Sequence, residues 1–292
     1  MISCFLEGPQ GRLHYLDYNT DETNPERIID YGREEPEAER PAIIFLPGLT
    51  NHAHYWDEIA PYFLDKYAVY ALDWRGHGDS APGTGYDYAD YASDLSRLVN
   101  FLVPGRFFLV GHSLGGYVAL YFATNLSDTS GLVGVVACDI KTASTEEEHL
   151  IGRKAGAKPQ PFIHSLPEVA ARLRAAMPDS TVSDDRLLQL AATGVFEETN
   201  AFRLKYDRAV LDFVPVNPYD FAGQVTVPTL VINGANSAVM SAKEARQLVK
   251  ALPQAKRLEI AAAGHFVYLD QPAEFSGAVN NFLEKYLTSK ES

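Results

Sequence analysis

Residues 107–116, FFLVGHSLGG, decide the fold of this chain. An apolar run with strand character leads directly into Gly111 and Ser113, and a helix-like segment, YVALYFATNL, follows. A serine between two glycines at a strand-to-helix turn is typical of a nucleophile elbow. Side chains at Gly111 and Gly115 would collide with the neighbouring strand and helix, and the first amides of the helix can stabilise an anion. This context favours Ser113 as a nucleophile over a serine that merely caps the helix.

Short apolar runs separated by helical patterns surround this motif. The runs cover residues 42–46, 68–72, 107–110 and 132–137, and the helical patterns cover 56–64, 88–102 and 117–126. Continuous apolar strands that alternate with helices predict a parallel sheet covered on both faces. A strand is also predicted over residues 11–18, and a second, short one near 27–31 in an acid-rich stretch.

The alternation of strands and helices stops after Lys141. Residues 144–222 look helical, strand patterns return at 229–233 and 257–260, and a final helix covers 272–287. A helical block inserted between two strands of one sheet predicts a lid over the carboxyl edge, where open α/β sheets bind ligands. We therefore expect an α/β core formed by residues 1–141 and 223–292, and a helical lid formed by residues 142–222.

The composition limits the function classes. The 292 residues are 46% hydrophobic and carry a net charge of −13, which fits one large α/β domain and argues against nucleic acid or an anionic membrane surface as a partner. Two cysteines far apart imply no disulfide framework, and we find neither a signal peptide nor a transmembrane run, so a cytoplasmic location is expected. The expected partner is a small-molecule substrate, and a homodimer is left open.

A serine hydroxyl needs a base and an oxyanion hole to act on a carbonyl. The candidate base is His265, which follows the last predicted strand in a Gly-His pair. The backbone N–H groups of Leu114, directly after the serine, and of Leu49, in the loop after strand 42–46, are the candidate oxyanion donors. His54 and Trp56 follow that loop and are expected to line the substrate pocket.

These motifs together resemble those of the α/β-hydrolases. The resemblance rests on LPGL at 46–49, DWRGHGDS at 73–80, GHSLGG at 111–116 and GH at 264–265, in the expected order along most of the chain. It implies a mostly parallel eight-stranded α/β-hydrolase sheet with helices on both faces, an inserted helical lid, and a Ser-His-acid triad. It implies no particular substrate, because this fold supports many reactions.

One departure from the family pattern concerns the triad acid. The family usually carries it in the loop that here covers residues 234–240, but this loop has no carboxylate, and Ser237 or Ala238 occupies the usual position. Three explanations are open: the acid has moved to Asp139 at the end of strand 132–137, Ala238 is an engineered replacement, or the chain is a non-catalytic relative. We favour Asp139, because a carboxylate there can accept the His265 ring N–H. Certain amide hydrolases and cofactor-free dioxygenases of the family resemble this arrangement.

The sequence thus predicts a serine hydrolase that cleaves a small ester, lactone or amide through an acyl-enzyme. Two alternatives share the fold: a cofactor-independent dioxygenase that uses His265 and Asp139 as its base, and a small-molecule receptor with a slow triad. No metal-ligand spacing and no dinucleotide fingerprint is present, so we expect neither a metal nor a cofactor.

Overall fold

The computed structural model describes residues 1–19, 40–103, 105–124, 129–212 and 217–288. The strand predicted near 27–31 lies outside these residues. Within them the main sheet has eight strands: β1 (Ile2–Leu6), β2 (Leu13–Asp17), β3 (Ala42–Leu46), β4 (Ala68–Leu72), β5 (Phe107–His112), β6 (Leu132–Cys138), β9 (Thr229–Gly234) and β10 (Ala255–Ile260). A separate two-stranded sheet pairs β7 (Val195–Glu198) with β8 (Ala201–Leu204).

The strands of the main sheet lie in the order β1-β2-β4-β3-β5-β6-β9-β10. β2 pairs antiparallel with β1 and β4, and the other neighbouring pairs are parallel. The central strands β3, β5 and β6 are buried along their whole length, which explains why they are continuously apolar in the sequence. The predicted mostly parallel α/β sheet is confirmed, and β1 is an edge strand that the sequence analysis did not identify.

The sheet is covered by α-helices, and three of those described lie in the segment between β6 and β9. The described α-helices are α1 (Tyr88–Leu102), α2 (Leu114–Phe122), α3 (Glu146–Gly156), α4 (Leu166–Ala176), α5 (Asp184–Thr193), α6 (Ala242–Ala251), α7 (Val267–Asp270) and α8 (Pro272–Thr288). In place of the helix predicted over 56–64, the chain forms two short 3-10 helices, Ala53–Trp56 and Ala60–Phe63, and the first of them begins before the predicted range. None of the described helices combines the length and the apolarity that crossing a bilayer requires.

The segment inserted between β6 and β9 is not entirely helical. Besides α3, α4 and α5 it contains the β7–β8 hairpin, whose turn places Asn200 at a φ of 61°. Asparagine tolerates this left-handed conformation better than most residues, so it suits the tight turn. We call residues 142–222 the inserted segment. Its prediction as purely helical was wrong at this hairpin.

Candidate active site

The turn between β5 and α2 holds Ser113 in a strained conformation. Ser113 has φ 50° and ψ −116°, and its N–H donates to the carbonyl of Cys138 on the neighbouring strand at 2.9 Å. A Cβ added to Gly111 would lie 2.3 Å from the carbonyl carbon of Gly115, and one added to Gly115 would lie 2.2 Å from the carbonyl oxygen of Leu46. Both glycines are therefore required by close backbone approach, as the sequence predicted.

The structure brings His265 and Asp139 into direct contact. The Nδ1–H of His265 donates to Oδ1 of Asp139 at 2.7 Å, across 126 residues of sequence. Asp139 directly follows β6, and its N–H donates to the carbonyl of Ile232 on β9 at 2.7 Å. A bond from Nδ1–H to a carboxylate leaves the other ring nitrogen, Nε2, with a lone pair for a proton.

Asp139 is fully buried, and three donors converge on its carboxylate. Oδ1 accepts from His265 and from the hydroxyl of Ser237 at 2.6 Å, and Oδ2 accepts from the N–H of Gly234 at 3.0 Å. Burial raises the pKa of Asp139, whereas the hydrogen bonds from His265, Ser237 and Gly234 act in the opposite direction. The donors thus compensate for much of the cost of burying this group.

Ser237 is one of the two residues, with Ala238, that stand where the family usually carries its acid. Its hydroxyl donates to Asp139 and accepts from the N–H groups of Val239 at 3.0 Å and Met240 at 3.1 Å. These bonds fix the hydroxyl in one orientation. The missing carboxylate is visible in the sequence, but the role of Ser237 is not. No local pattern could reveal this role, because the partner of Ser237 lies 98 residues away.

The loop after β3 packs directly against Ser113. A Cβ added to Gly48 would lie 3.3 Å from the Cβ of Ser113, and the N–H of Asn51 closes a turn onto the carbonyl of Gly48 at 3.2 Å. Leu49 lies inside this turn, so the turn does not use its N–H. Leu114 is the first residue of α2, where an N–H has no acceptor within the helix. The geometry is therefore compatible with both predicted oxyanion donors.

Two further residues hold the backbone of His265. The Nε2–H of buried His112 donates to the carbonyl of His265 at 3.0 Å, and burial lowers the pKa of His112 well below its ordinary value. From the inserted segment, Oδ2 of Asp179 accepts from the N–H of His265 at 3.1 Å and from that of Ala238 at 2.9 Å. The loop that carries His265 is thus tied both to the elbow and to the inserted segment.

Ser113 and His265 line one cavity of about 450 Å³ between the sheet edge and the inserted segment. Its wall has a core side and an inserted side, and most of the residues on the inserted side are apolar. The wall is formed by Leu49, Thr50, Asn51, His52, Tyr55, Ser113, His265 and Phe266 from the core, and by Pro161, Val169, Arg172, Leu173, Ala176, Met177, Gly194, Leu204, Tyr206 and Arg208 from the inserted segment.

Neither His54 nor Trp56 belongs to the wall of this cavity. Trp56 is fully buried and stacks on Phe45 and Tyr268, with ring centroids 4.8 and 4.2 Å apart. His54 is directed to Asp57, with Nδ1 3.0 Å from Oδ2. The prediction that these two residues line the pocket is therefore corrected: the indole of Trp56 is held in the core by stacking on two aromatic rings, and the imidazole of His54 is turned toward Asp57.

Their neighbour His52 lines the cavity instead. It is 6% exposed, and its Nδ1 has no hydrogen-bond partner among the described residues. Burial lowers the pKa of His52 to about 4, so the imidazole is neutral at physiological pH. A buried ring nitrogen without a partner can bind a polar group of a ligand. The sequence offered no signal for choosing His52 over His54.

Comparisons with known proteins show the family to which the chain belongs. A model of the alpha/beta hydrolase family matches residues 43–278. The chain belongs to the α/β-hydrolase family. It is 29% identical to the sn-1-specific diacylglycerol lipase ABHD11 of Mus musculus over 269 residues, 87% of this chain and 85% of that protein. It is 28% identical to the 2-(acetamidomethylene)succinate hydrolase of Mesorhizobium japonicum over 277 residues, 88% of this chain and 95% of that one.

A solved structure extends the likeness to the fold. The crystal structure of E-2-(acetamidomethylene)succinate hydrolase superimposes with a TM-score of 0.81 at 22% identity, covering 97% of this chain and 99% of that one. Since this identity is low, the likeness concerns the fold alone. The family match and the hydrolases among the relatives support hydrolysis as the class of reaction.

Proposed function

We propose that this hydrolase is a serine hydrolase that cleaves a small-molecule ester, lactone or amide through an acyl-enzyme. The observation that carries the proposal is the bond from His265 to Asp139 at 2.7 Å, at a cavity that Ser113 also lines. In this mechanism Ser113 attacks the carbonyl and His265 accepts its proton through Nε2. Asp139 keeps His265 in the required tautomer and stabilises its charged form.

The tetrahedral intermediate carries a negative oxygen that needs donors. The N–H groups of Leu49 and Leu114 supply them in this proposal, with the positive end of α2 directed at the same point. His265 then protonates the leaving group and activates the water that releases the acyl group. The inserted segment acts as the lid, because it supplies more than half of the residues in the cavity wall and its Asp179 holds the His265 backbone.

A cavity of about 450 Å³ suits a small substrate, since ligand pockets of this size enclose most of a drug-sized molecule. The relatives include a protein named as a diacylglycerol lipase and one named as a succinate-derivative hydrolase. The small cavity volume and the Nδ1 of His52, which has no hydrogen-bond partner in the described part of the chain, favour the second kind of substrate for this chain.

Turnover of a panel of small esters, lactones and amides tests this proposal. We expect multiple turnovers by the wild type and none by Ser113→Ala, whose fold should be unchanged because Ser113 is only partly buried and its hydroxyl is not a helix cap. A single turnover followed by a persistent adduct on Ser113 would instead indicate the receptor function.

Because the candidate acid, Asp139, follows β6, a second candidate function is that of a cofactor-independent dioxygenase. In that reaction the pair of His265 and Asp139 would remove a proton from the substrate, which then reacts with O₂. Oxygen uptake with heteroaromatic substrates distinguishes the two, because hydrolysis consumes no oxygen. Uptake that survives Ser113→Ala but not His265→Ala would replace the hydrolase proposal.

A further inference from the structure

Arg208 lines the cavity of Ser113 and His265 with a guanidinium that carries a fixed positive charge. Its Nε donates to the carbonyl of Ala155 at 3.0 Å, and its Nη2 donates to the same oxygen. No ion pair joins Arg208 to another described residue. The other arginine in the wall, Arg172, is paired with Glu168 at 3.1 Å. Arg208 is thus the unneutralised cation of the described cavity wall, and its Nη1 is not engaged by the bonds to Ala155.

A second cavity, of about 690 Å³, shares Tyr206 and Arg208 with the first. Its wall adds Lys158, Arg203 and Lys205. The wall also contains one acid, Asp207, whose carboxylate accepts from the hydroxyl of Tyr86 at 2.5 Å and from the N–H of Ala209 at 2.9 Å. Both donors are neutral, so Asp207 keeps its negative charge.

The other basic residues of the second cavity differ in how far they are neutralised. Arg203 pairs with Glu198 and Lys205 pairs with Asp79, whereas exposed Lys158 has no ion pair within the described part of the chain. With those two pairs set aside, Lys158 and Arg208 bring two positive charges to this wall against the one negative charge of Asp207, so the wall is net positive in a chain whose net charge is −13. Fixed positive charge at the mouth of a cavity concentrates anions there.

We propose that Arg208 binds an anionic group of the substrate, so that the substrate is an ester, lactone or amide that also carries a carboxylate or a phosphate. This inference rests on the proposed hydrolase function only where it names an ester, lactone or amide as the bond that is cleaved. Arginine suits this task because its planar fork bonds carboxylate and phosphate oxygens. The apolar side chains of Val169, Leu173 and Leu204 in the same wall accommodate the carbon skeleton between the two polar ends.

Matched esters test this inference. Mono-4-nitrophenyl succinate, glutarate and adipate carry a carboxylate, their phosphonate analogues carry a phosphorus acid, and 4-nitrophenyl pentanoate carries neither. A second pair, 4-acetoxybenzoate and 4-acetoxytoluene, places the charge on the leaving group. A hydrogen bond to a charged group contributes about 1.5–3 kcal/mol, so we expect kcat/KM of the wild type to favour a charged ester by about 10–100-fold. The class of charged ester with the higher kcat/KM shows whether the anionic group of the substrate is a carboxylate or a phosphate.

Arg208→Gln should remove the preference for charged esters, mainly because it raises their KM. The matched control is Arg153→Gln, which also removes a contact between α3 and the 3-10 helix Arg208–Asp212, because Arg153 pairs with Asp212 at 3.0 Å. Arg153 lines neither of the two cavities. Loss of the preference in Arg208→Gln but not in Arg153→Gln separates anion binding from a general loosening of the lid.

Binding to Ser113→Ala, measured by calorimetry, separates this inference from the proposed function. If no ester is turned over but a charged ester binds about 10–100-fold more weakly after Arg208→Gln is added, the inference stands and the hydrolase proposal fails. If uncharged and charged esters are cleaved and bound equally well with and without Arg208, the inference is wrong and the hydrolase proposal stands. The inference is also wrong if the charged esters do not bind to Ser113→Ala at all.

Discussion

Asp139 combines two properties, each of which alone would destabilise the folded state. Its φ is 49°, a left-handed conformation that a non-glycine residue rarely adopts, and its side chain is completely buried. Such strain persists when the surroundings hold it, and here the donors on His265, Ser237 and Gly234 do so. We infer that Ser237 is a positioning residue, which orients the carboxylate toward His265 and acts on the reaction only through Asp139.

Ser237→Ala should slow turnover by about 10-fold or more, since a hydrogen bond to a charged group is lost. That bond lowers the pKa of Asp139, so its loss raises the pKa and should move the acid limb of the kcat/KM profile to higher pH. Ser237→Thr, which keeps a hydroxyl, is the control and should retain most of the rate and the original profile. An unshifted profile in Ser237→Ala would assign the serine a purely structural role.

At this scale the sequence was enough to name Ser113, His265 and Asp139 as candidates, because each stands at the end of a recognisable strand or in a recognisable motif. It failed for the residues that act through space. Only the folded chain brings Ser237, His52 and Asp179 close to the other residues of the site, so no local sequence pattern marks these residues. Trp56 was predicted to line the pocket only because it is close to Leu49 in sequence.

The elbow between β5 and α2 depends on close approach of whole elements. The same geometry brings α2 against the end of β3, where Gly115 meets the carbonyl of Leu46. A serine at φ 50° is retained only while these backbones stay in contact. The glycines therefore support both the packing of the sheet and the position of the candidate nucleophile.

Gly115→Ala should lower the free energy of unfolding by about 3 kcal/mol, because the new methyl group overlaps the carbonyl of Leu46. Gly277→Ala is the matched control, because nothing lies within 4 Å of a Cβ at this position of α8. That substitution should raise the free energy of unfolding by up to about 1 kcal/mol, through helix propensity. Urea denaturation measures both changes, and equal effects of the two substitutions would contradict the close approach at Gly115.

Elements with a single strong pattern were predicted well. The helix predicted over 88–102 is α1, and the buried strands were found from their continuous apolar runs. The β7–β8 hairpin was missed because its strands, VFEE and AFRL, are short and stand in a segment with helical composition. The edge strand β1 was missed because its alternation, ISCFL, is brief.

The whole molecule buries several histidines in neutral form. Burial lowers the pKa of His52 and of His77 to about 4, and that of His112 well below its ordinary value. The unfolded chain titrates these groups near about 6.5. Between these values the unfolded state binds protons that the folded state does not, so stability is lost as the pH falls from about 6.5 to about 4.

His77→Asn should reduce this acid sensitivity. The asparagine keeps a donor for the carbonyl of Arg75, which His77 contacts at 3.0 Å, but it does not titrate. The loss of unfolding free energy between about pH 7 and pH 4 should shrink by about 3 kcal/mol. Denaturation at several pH values measures it, with His164→Asn at an exposed position as the control. An unchanged slope in His77→Asn would exclude His77 as a source of the acid sensitivity.

Covalent labelling by a fluorophosphonate tests the central proposal most directly, because it needs no knowledge of the substrate. The variants to compare with the wild type are Ser113→Ala, Asp139→Asn and, as a control at an exposed position, Asp184→Asn. We expect the adduct on Ser113, none in Ser113→Ala, a rate about a thousandfold lower in Asp139→Asn, and an unchanged rate in the control. A wild-type rate in Asp139→Asn, or an adduct that persists in Ser113→Ala, would contradict a triad of Ser113, His265 and Asp139.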